Sequence, residues 1–193
     1  MRMLSLSFLL LAAALLAAPA AQASVFTGAL SGANESPPNA SPGSGTVIVT
    51  LDETAHTLTI EFQFQDLIGT TTAAHLHCCT PPGANAGVAT QVPTFIGFPL
   101  GVTAGSYLQT FDLTDSASYN PSFVTANGSV AGAEAALIAA LFAGEVYANL
   151  HTTQFGGGEL RANLAEIPVP AALWLFAAGG LVVMRAARRR PTL

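Results

Sequence analysis

Two segments in which apolar and polar residues alternate constrain the fold of this chain more than any other feature. They are residues 46–51 (TVIVTL) and 57–64 (TLTIEFQF), and a short polar connection, Asp52 to His56, joins them. Successive side chains of a strand point to opposite sides of a sheet, so a period of two predicts a β-hairpin with one buried face. The folded part of the chain is therefore expected to be mainly β.

The same patterns predict further short strands and one helix. Strands are expected at 25–30, 73–77, 88–90, 106–113, 146–151 and 159–164, with a glycine turn at 156–158. Alanine and leucine at helical spacing predict a helix over 129–142, which Gly144 can end in a left-handed conformation. Many short strands with one inserted helix are typical of a β-sandwich or Greek-key barrel, and we expect this domain to occupy residues 24–166.

Both ends of the chain carry apolar segments that predict export. Arg2, an apolar run over 4–18 and the small residues of Ala21-Gln22-Ala23 are typical of a signal peptide, 1–23, that signal peptidase removes. Residues 171–184 form a second apolar run, which as a helix is about 20–25 Å long and spans a bilayer core of about 30 Å only marginally. The arginines that follow this transmembrane helix stay on the cytoplasmic side, so the domain is expected on the other side of the membrane.

The C-terminal tail, residues 167–193, has three parts in a fixed order. Ile167 and the motif Pro168-Val169-Pro170 precede the apolar run, and the cluster Arg188, Arg189 and Arg190 follows it. This order resembles the VPLPA variant of the PEP-CTERM sorting tails. The resemblance implies a Gram-negative bacterium, an exosortase that cuts the tail, tethering to the inner membrane on the periplasmic side, and then an outer-surface or extracellular location. A plain membrane anchor is the alternative, and both place the domain outside the cytoplasm.

The charge of the domain excludes one class of partner. All 11 acidic residues lie between 24 and 166, where Arg161 is the only lysine or arginine. Affinity for nucleic acid depends mostly on lysine and arginine meeting phosphates. Binding of nucleic acid is therefore not expected.

Four phrases in the domain resemble the successive landmarks of a CHRD domain, the module named after chordin. They are FTGALSGANESPPNASPGSGTVIVTLD, TTAAHLH, NAGVAT and VYANLHTTQFGGGELRANL, and the resemblance covers residues 25–164. It implies an Ig-like or superoxide-dismutase-like β-sandwich and no catalytic residues. The expected role is that of a cell-surface or extracellular-matrix component that binds exopolysaccharide or other surface proteins. The chain departs from the family pattern where Cys78-Cys79 replaces a common Gly-Pro, and where residues 93–143 are longer than usual.

Three histidines could carry chemistry. His75 and His77 lie two apart, so on a strand they share one face, and His151 lies in another of the matched phrases. They could bind copper or zinc, with Cys78 or Cys79 as a soft ligand, or hydrogen-bond loop carbonyls in a purely structural role. The H-x-H pattern also resembles two copper ligands of Cu,Zn superoxide dismutase. The alternative function is therefore a copper- or zinc-binding exported protein, including a dismutase-like oxidoreductase.

The remaining candidates have simpler expected roles. Cys78 and Cys79 could form a vicinal disulfide, ligate metal, bond between chains or stay free in an oxidising compartment. Glu159 and Arg161 share a strand face and are expected either to pair with each other or to satisfy backbone groups of loops. His56, in the hairpin connection, is expected to be solvated.

Overall fold

Eight antiparallel strands and two helices make up residues 23–168, the part of the chain that the computed structural model describes. The strands are β1 Ser24–Ser31, β2 Ser44–Asp52, β3 Thr57–Gln65, β4 Thr71–Cys78, β5 Gly105–Asp112, β6 Val146–Thr152, β7 Leu160–Asn163 and β8 Ala165–Glu166. The helices are α1 Pro121–Ala126 and α2 Val130–Ala143. The prediction of a mainly β fold is confirmed.

The predicted hairpin is β2 and β3, which pair along their whole length. Ser44 lies opposite Gln65 at one end and Asp52 opposite Thr57 at the other. Every second side chain is buried, and together these residues form one face of the hydrophobic core: Val47, Val49, Leu51, Leu58, Ile60, Phe62 and Phe64. The alternation of apolar and polar residues in these two strands thus follows from the burial of one face of the sheet.

The strands form one curled sheet with the order β4-β6-β7-β1-β2-β3-β5, and β8 pairs with β1. Residues between β4 and β5 return along the outer edge of β4, where Ala89 N–H donates to Leu76 O (2.9 Å) and Phe95 N–H to Ala74 O (3.2 Å). Phe95 thereby reaches Phe62 of β3, with the ring centroids 6.1 Å apart. This long connection both fills the core and covers the edge of β4.

Two helices occur where one was predicted. The predicted helix is α2, in which the Ser129 side chain accepts from Gly132 N–H (3.0 Å) and Gly144 ends the helix at φ 70°. The additional helix, α1, begins with Asn120 as N-cap and Pro121 in the first turn. Its six residues are too few for a periodic pattern, which is why the sequence did not reveal it.

The predicted terminal segments lie almost entirely outside the described residues. The signal peptide, 1–23, shares only residue 23 with them, and the tail, 167–193, shares only 167 and 168. Among residues 23–168, no helix is both long enough and apolar enough to cross a membrane. Signal peptide, transmembrane helix and sorting motif therefore remain predictions.

Candidate metal centre

Pairing of β4 with β6 brings the three histidines together. His75 lies opposite Asn149, His77 opposite Tyr147 and Ala73 opposite His151. His151 is therefore the diagonal neighbour of His75, within reach across an antiparallel pair. The ring centroid of His151 lies 5.3 Å from that of His75 and 6.0 Å from that of His77. One ring nitrogen from each histidine belongs to a group whose members all lie within 4.8 Å of one another.

Each imidazole is held in place by one loop carbonyl. His75 Nε2 donates to Pro93 O (2.6 Å), His77 Nδ1 to Ala86 O (2.9 Å) and His151 Nδ1 to Gly156 O (3.1 Å). A carbonyl only accepts, so these nitrogens carry the proton of the neutral ring and the other nitrogen of each ring carries a lone pair. A backbone carbonyl in this position is the usual means of orienting a metal-binding histidine.

The other nitrogens of the three rings are buried and have no hydrogen-bond partner. They are His75 Nδ1, His77 Nε2 and His151 Nε2. His75 and His77 are buried and His151 is half-buried. Burial lowers the pKa of all three imidazoles, against the opposing effect of the carbonyls, and brings that of His77 to about 4. The three rings are thus neutral at neutral pH, and the neutral imidazole is the form that binds a metal ion.

The donor set fits copper or zinc. Two nitrogens that bind one ion at about 2.1 Å each are at most about 4.2 Å apart, so binding requires the rings to move only slightly closer together. Both metals accept imidazole. The unpartnered lone pairs are the observation that a purely structural role leaves unexplained, because buried polar atoms normally have partners.

A polar layer on the same side of the sheet supports the histidines. The Tyr147 ring stacks on that of His77, with the centroids 4.8 Å apart and the planes 5° apart. On Tyr147, the Arg161 guanidinium lies 3.9 Å from the ring centroid. Arg161 also donates to the Glu35 carboxylate (3.3 Å), to Ala84 O (3.0 Å) and to the Asn85 side chain. A continuous series of contacts thus leads from Glu35 to the imidazole of His77.

The match to a family model covers most of this architecture. The CHRD domain model matches residues 26–164, from β1 to the residue after β7. The chain belongs to the CHRD family. Comparison with curated proteins and with solved structures returned no match. Strands β4, β6 and β7 lie within the matched range, so the three histidines and Arg161 are residues of the CHRD domain itself.

Cys78 and Cys79 form a vicinal disulfide in this CHRD domain. Cys78 ends β4 and is part of the hydrophobic core, on the side of the strand opposite to His77, whereas Cys79 is exposed. Neither residue belongs to the group of clustered ligand atoms among the described residues. The cysteines are therefore bonded to each other and are not part of the histidine cluster.

Glu159, Arg161 and His56 have the following partners in the structure. Arg161 pairs with Glu35, while the buried Glu159 accepts from Ile68 N–H (2.7 Å), Gly69 N–H (3.1 Å) and the hydroxyls of Ser41 and Thr152. Glu159 thus takes the second of its two expected roles, satisfying backbone groups of a loop. His56 is exposed, as expected, and its Nδ1 also contacts Glu134 of α2 at 2.6 Å.

Sequence reasoning missed three residues of the polar layer: Glu35, Tyr147 and Asn149. Asn149 donates to Glu35 Oε1 (2.7 Å), and its own Oδ1 has no partner. The period of two from His151 could have placed Tyr147 and Asn149 on the histidine face of β6. Nothing local indicates Glu35, which lies in the loop after β1 and meets Arg161 across 126 positions of sequence.

Proposed function

We propose that this CHRD domain binds one copper or zinc ion through His75 Nδ1, His77 Nε2 and His151 Nε2. The observation that carries the proposal has two parts: one ring nitrogen of each histidine lies within 4.8 Å of the others, and each ring has one nitrogen bonded to a loop carbonyl and one buried nitrogen without a partner. The loop-carbonyl bonds alone would also suit a structural role. However, three neighbouring lone pairs without partners are costly in a structural cluster and useful in a metal site.

Metal titration of the purified, metal-freed protein tests the proposal. We expect one equivalent of copper or zinc to bind to the wild type and to the His56→Ala variant, which removes a histidine outside the cluster. The His75→Ala, His77→Ala double variant is expected to lose more than the roughly 10- to 100-fold in affinity that changes around a metal ligand typically cost. Circular dichroism checks that each variant is folded. Equal, weak binding by all three proteins would return the histidines to a structural role.

The proposed setting of this function is the cell envelope, with the protein exported and then sorted to the surface. Support comes from the apolar N-terminal segment, the Pro168-Val169-Pro170 and arginine pattern, and a disulfide, which is typical of oxidising compartments. We also propose that the β-sandwich is of the superoxide-dismutase-like type. Catalysis is not part of the proposal, because binding of an ion does not by itself give turnover.

Mass spectrometry of the envelope and extracellular forms tests export and sorting. The mature chain is expected to begin at Ser24 and to lack Arg188, Arg189 and Arg190. Replacing Pro168 and Pro170 with alanine is expected to leave uncut protein in the inner membrane. Recovery of the wild type with Arg190 still attached would favour the plain anchor, and an intact Met1 would contradict export.

A further inference from the structure

We propose that the ion this site takes is monovalent copper, Cu(I), in preference to a divalent ion. This inference rests on the proposed function and concerns which ion the three histidines select. It follows from the charge of the donor set, from the charges around it and from the number of donors.

The donor set contains no anion. Among the described residues, the clustered ligand atoms come from His75, His77 and His151 alone, and all three rings are neutral when they bind. No thiolate contributes, because Cys78 and Cys79 are bonded to each other. The ion would therefore keep its whole charge inside a buried site.

The two buried carboxylates of the described residues have other partners. Glu35 accepts from Asn149 and Arg161, and Glu159 accepts from two backbone amides and two hydroxyls. Moving either group to the ion would leave those buried donors without partners, which is unfavourable. The two buried carboxylates are therefore not ligands for the ion.

A buried positive charge lies behind His77 in the polar layer. Arg161 stacks on Tyr147, which stacks on His77, whereas the Glu35 carboxylate is bound by Arg161 and Asn149. The cost of bringing an ion from water into a poorly polarisable site rises with the square of its charge. A divalent ion without an anionic ligand therefore pays about four times the desolvation cost of a monovalent one.

Three nitrogen donors also suit the coordination of Cu(I). Cu(I) needs no further ligand beyond the three that the described residues place here, whereas zinc held by three histidines adds a water as its fourth ligand. Cu(I) has a filled d shell and is stable with three ligands in a plane. Number of donors and charge therefore favour the same ion.

Competition titrations of the full-length protein test the proposal. Under anaerobic conditions, the protein competes with a colorimetric Cu(I) chelator for Cu(I), and with a chromophoric zinc chelator for Zn²⁺. Zinc is the divalent probe because it has no other accessible oxidation state. Because of the smaller desolvation cost of the monovalent ion, we expect Cu(I) to bind at least about 100-fold more tightly than zinc.

A variant that adds one negative charge provides the matched comparison. His151 is half-buried, so His151→Asp replaces a neutral donor by a carboxylate at the most accessible position. We expect this change to lower the ratio of Cu(I) to zinc affinity at least about tenfold, whereas His151→Ala weakens both ions. Zinc binding as tight as Cu(I) binding in the wild type, or an unchanged ratio in His151→Asp, would overturn the preference for Cu(I) and leave the metal site. Binding of neither ion would overturn the proposed function itself.

Discussion

Replacing Arg161 with methionine is expected to lower the free energy of unfolding by about 3–5 kcal/mol, as expected when one member of a buried ion pair is removed. Arg161 is 2% exposed and Glu35 is 7% exposed, so the variant leaves a carboxylate in a site where water does not replace the guanidinium. The acceptors Ala84 O and Asn85 Oδ1 lose their donor as well. Urea denaturation followed by far-UV circular dichroism measures the loss.

The double variant Glu35→Gln, Arg161→Met is the control for the charge. It removes both charges, so it is expected to be more stable than Arg161→Met alone. Burial already raises the pKa of Glu35 in the wild type, against the hydrogen bond from Asn149 and the charge of Arg161. Without Arg161 the pKa of Glu35 rises further. The difference in unfolding free energy between wild type and Arg161→Met should therefore shrink as the pH falls and the Glu35 carboxyl becomes protonated. A loss of unfolding free energy below about 1 kcal/mol for Arg161→Met at neutral pH would show that the Glu35–Arg161 pair does not stabilise the fold.

Acid is expected to destabilise the metal-free domain over the range from pH 6.5 down to about 4. The three buried histidines have lower pKa values in the folded chain than in the unfolded chain, chiefly because of burial. The unfolded chain therefore binds protons first, and the free energy of unfolding falls with the pH until the folded rings also become protonated. For His77, a pKa lowered from 6.5 to about 4 corresponds to about 3 kcal/mol.

The His77→Gln variant isolates this contribution. Two other groups make the folded chain relatively more stable in acid. The pKa of His56 is raised by the hydrogen bond and charge of Glu134, and the pKa of Glu35 is raised by burial. Both are present in wild type and variant, so their effects cancel in the comparison. Urea midpoints measured with a chelator at about pH 7.5 and about pH 4.5 should differ less in the variant than in the wild type. Parallel changes in the two proteins would refute the assignment of the acid sensitivity to His77.

Most strands and the longer helix could be predicted because their causes are local, whereas residues 88–90, expected as a strand, make only single bridges, Val88 with His77 and Thr90 with Tyr119. Alternation in 46–51 and 57–64 follows from burial of one sheet face, and Ser129 and Gly144 mark the ends of α2 by their own hydrogen bonding and backbone conformation. The shared face of His75 and His77 follows from the same period. The resemblance to the CHRD family was also read from short phrases of the sequence, and the family match over residues 26–164 confirms it.

The tertiary structure alone decided how these elements meet. The alternation of core residues in β4 and β6 decides which face His151 takes, but nothing local specifies which residues of the two strands lie opposite each other, and a shift of two residues would change the distance from His151 to His77. The carbonyls of Pro93, Ala86 and Gly156 come from loops whose paths depend on the whole core. The partner of Arg161 is likewise set by the approach of the loop after β1 to β7 and not by strand spacing. By itself the sequence determined the strands, the faces of their side chains and the candidate ligands, because these depend on neighbouring residues. Only the fold decided that one ring nitrogen of each histidine lies within 4.8 Å of the others, because that depends on contacts between residues far apart in the chain.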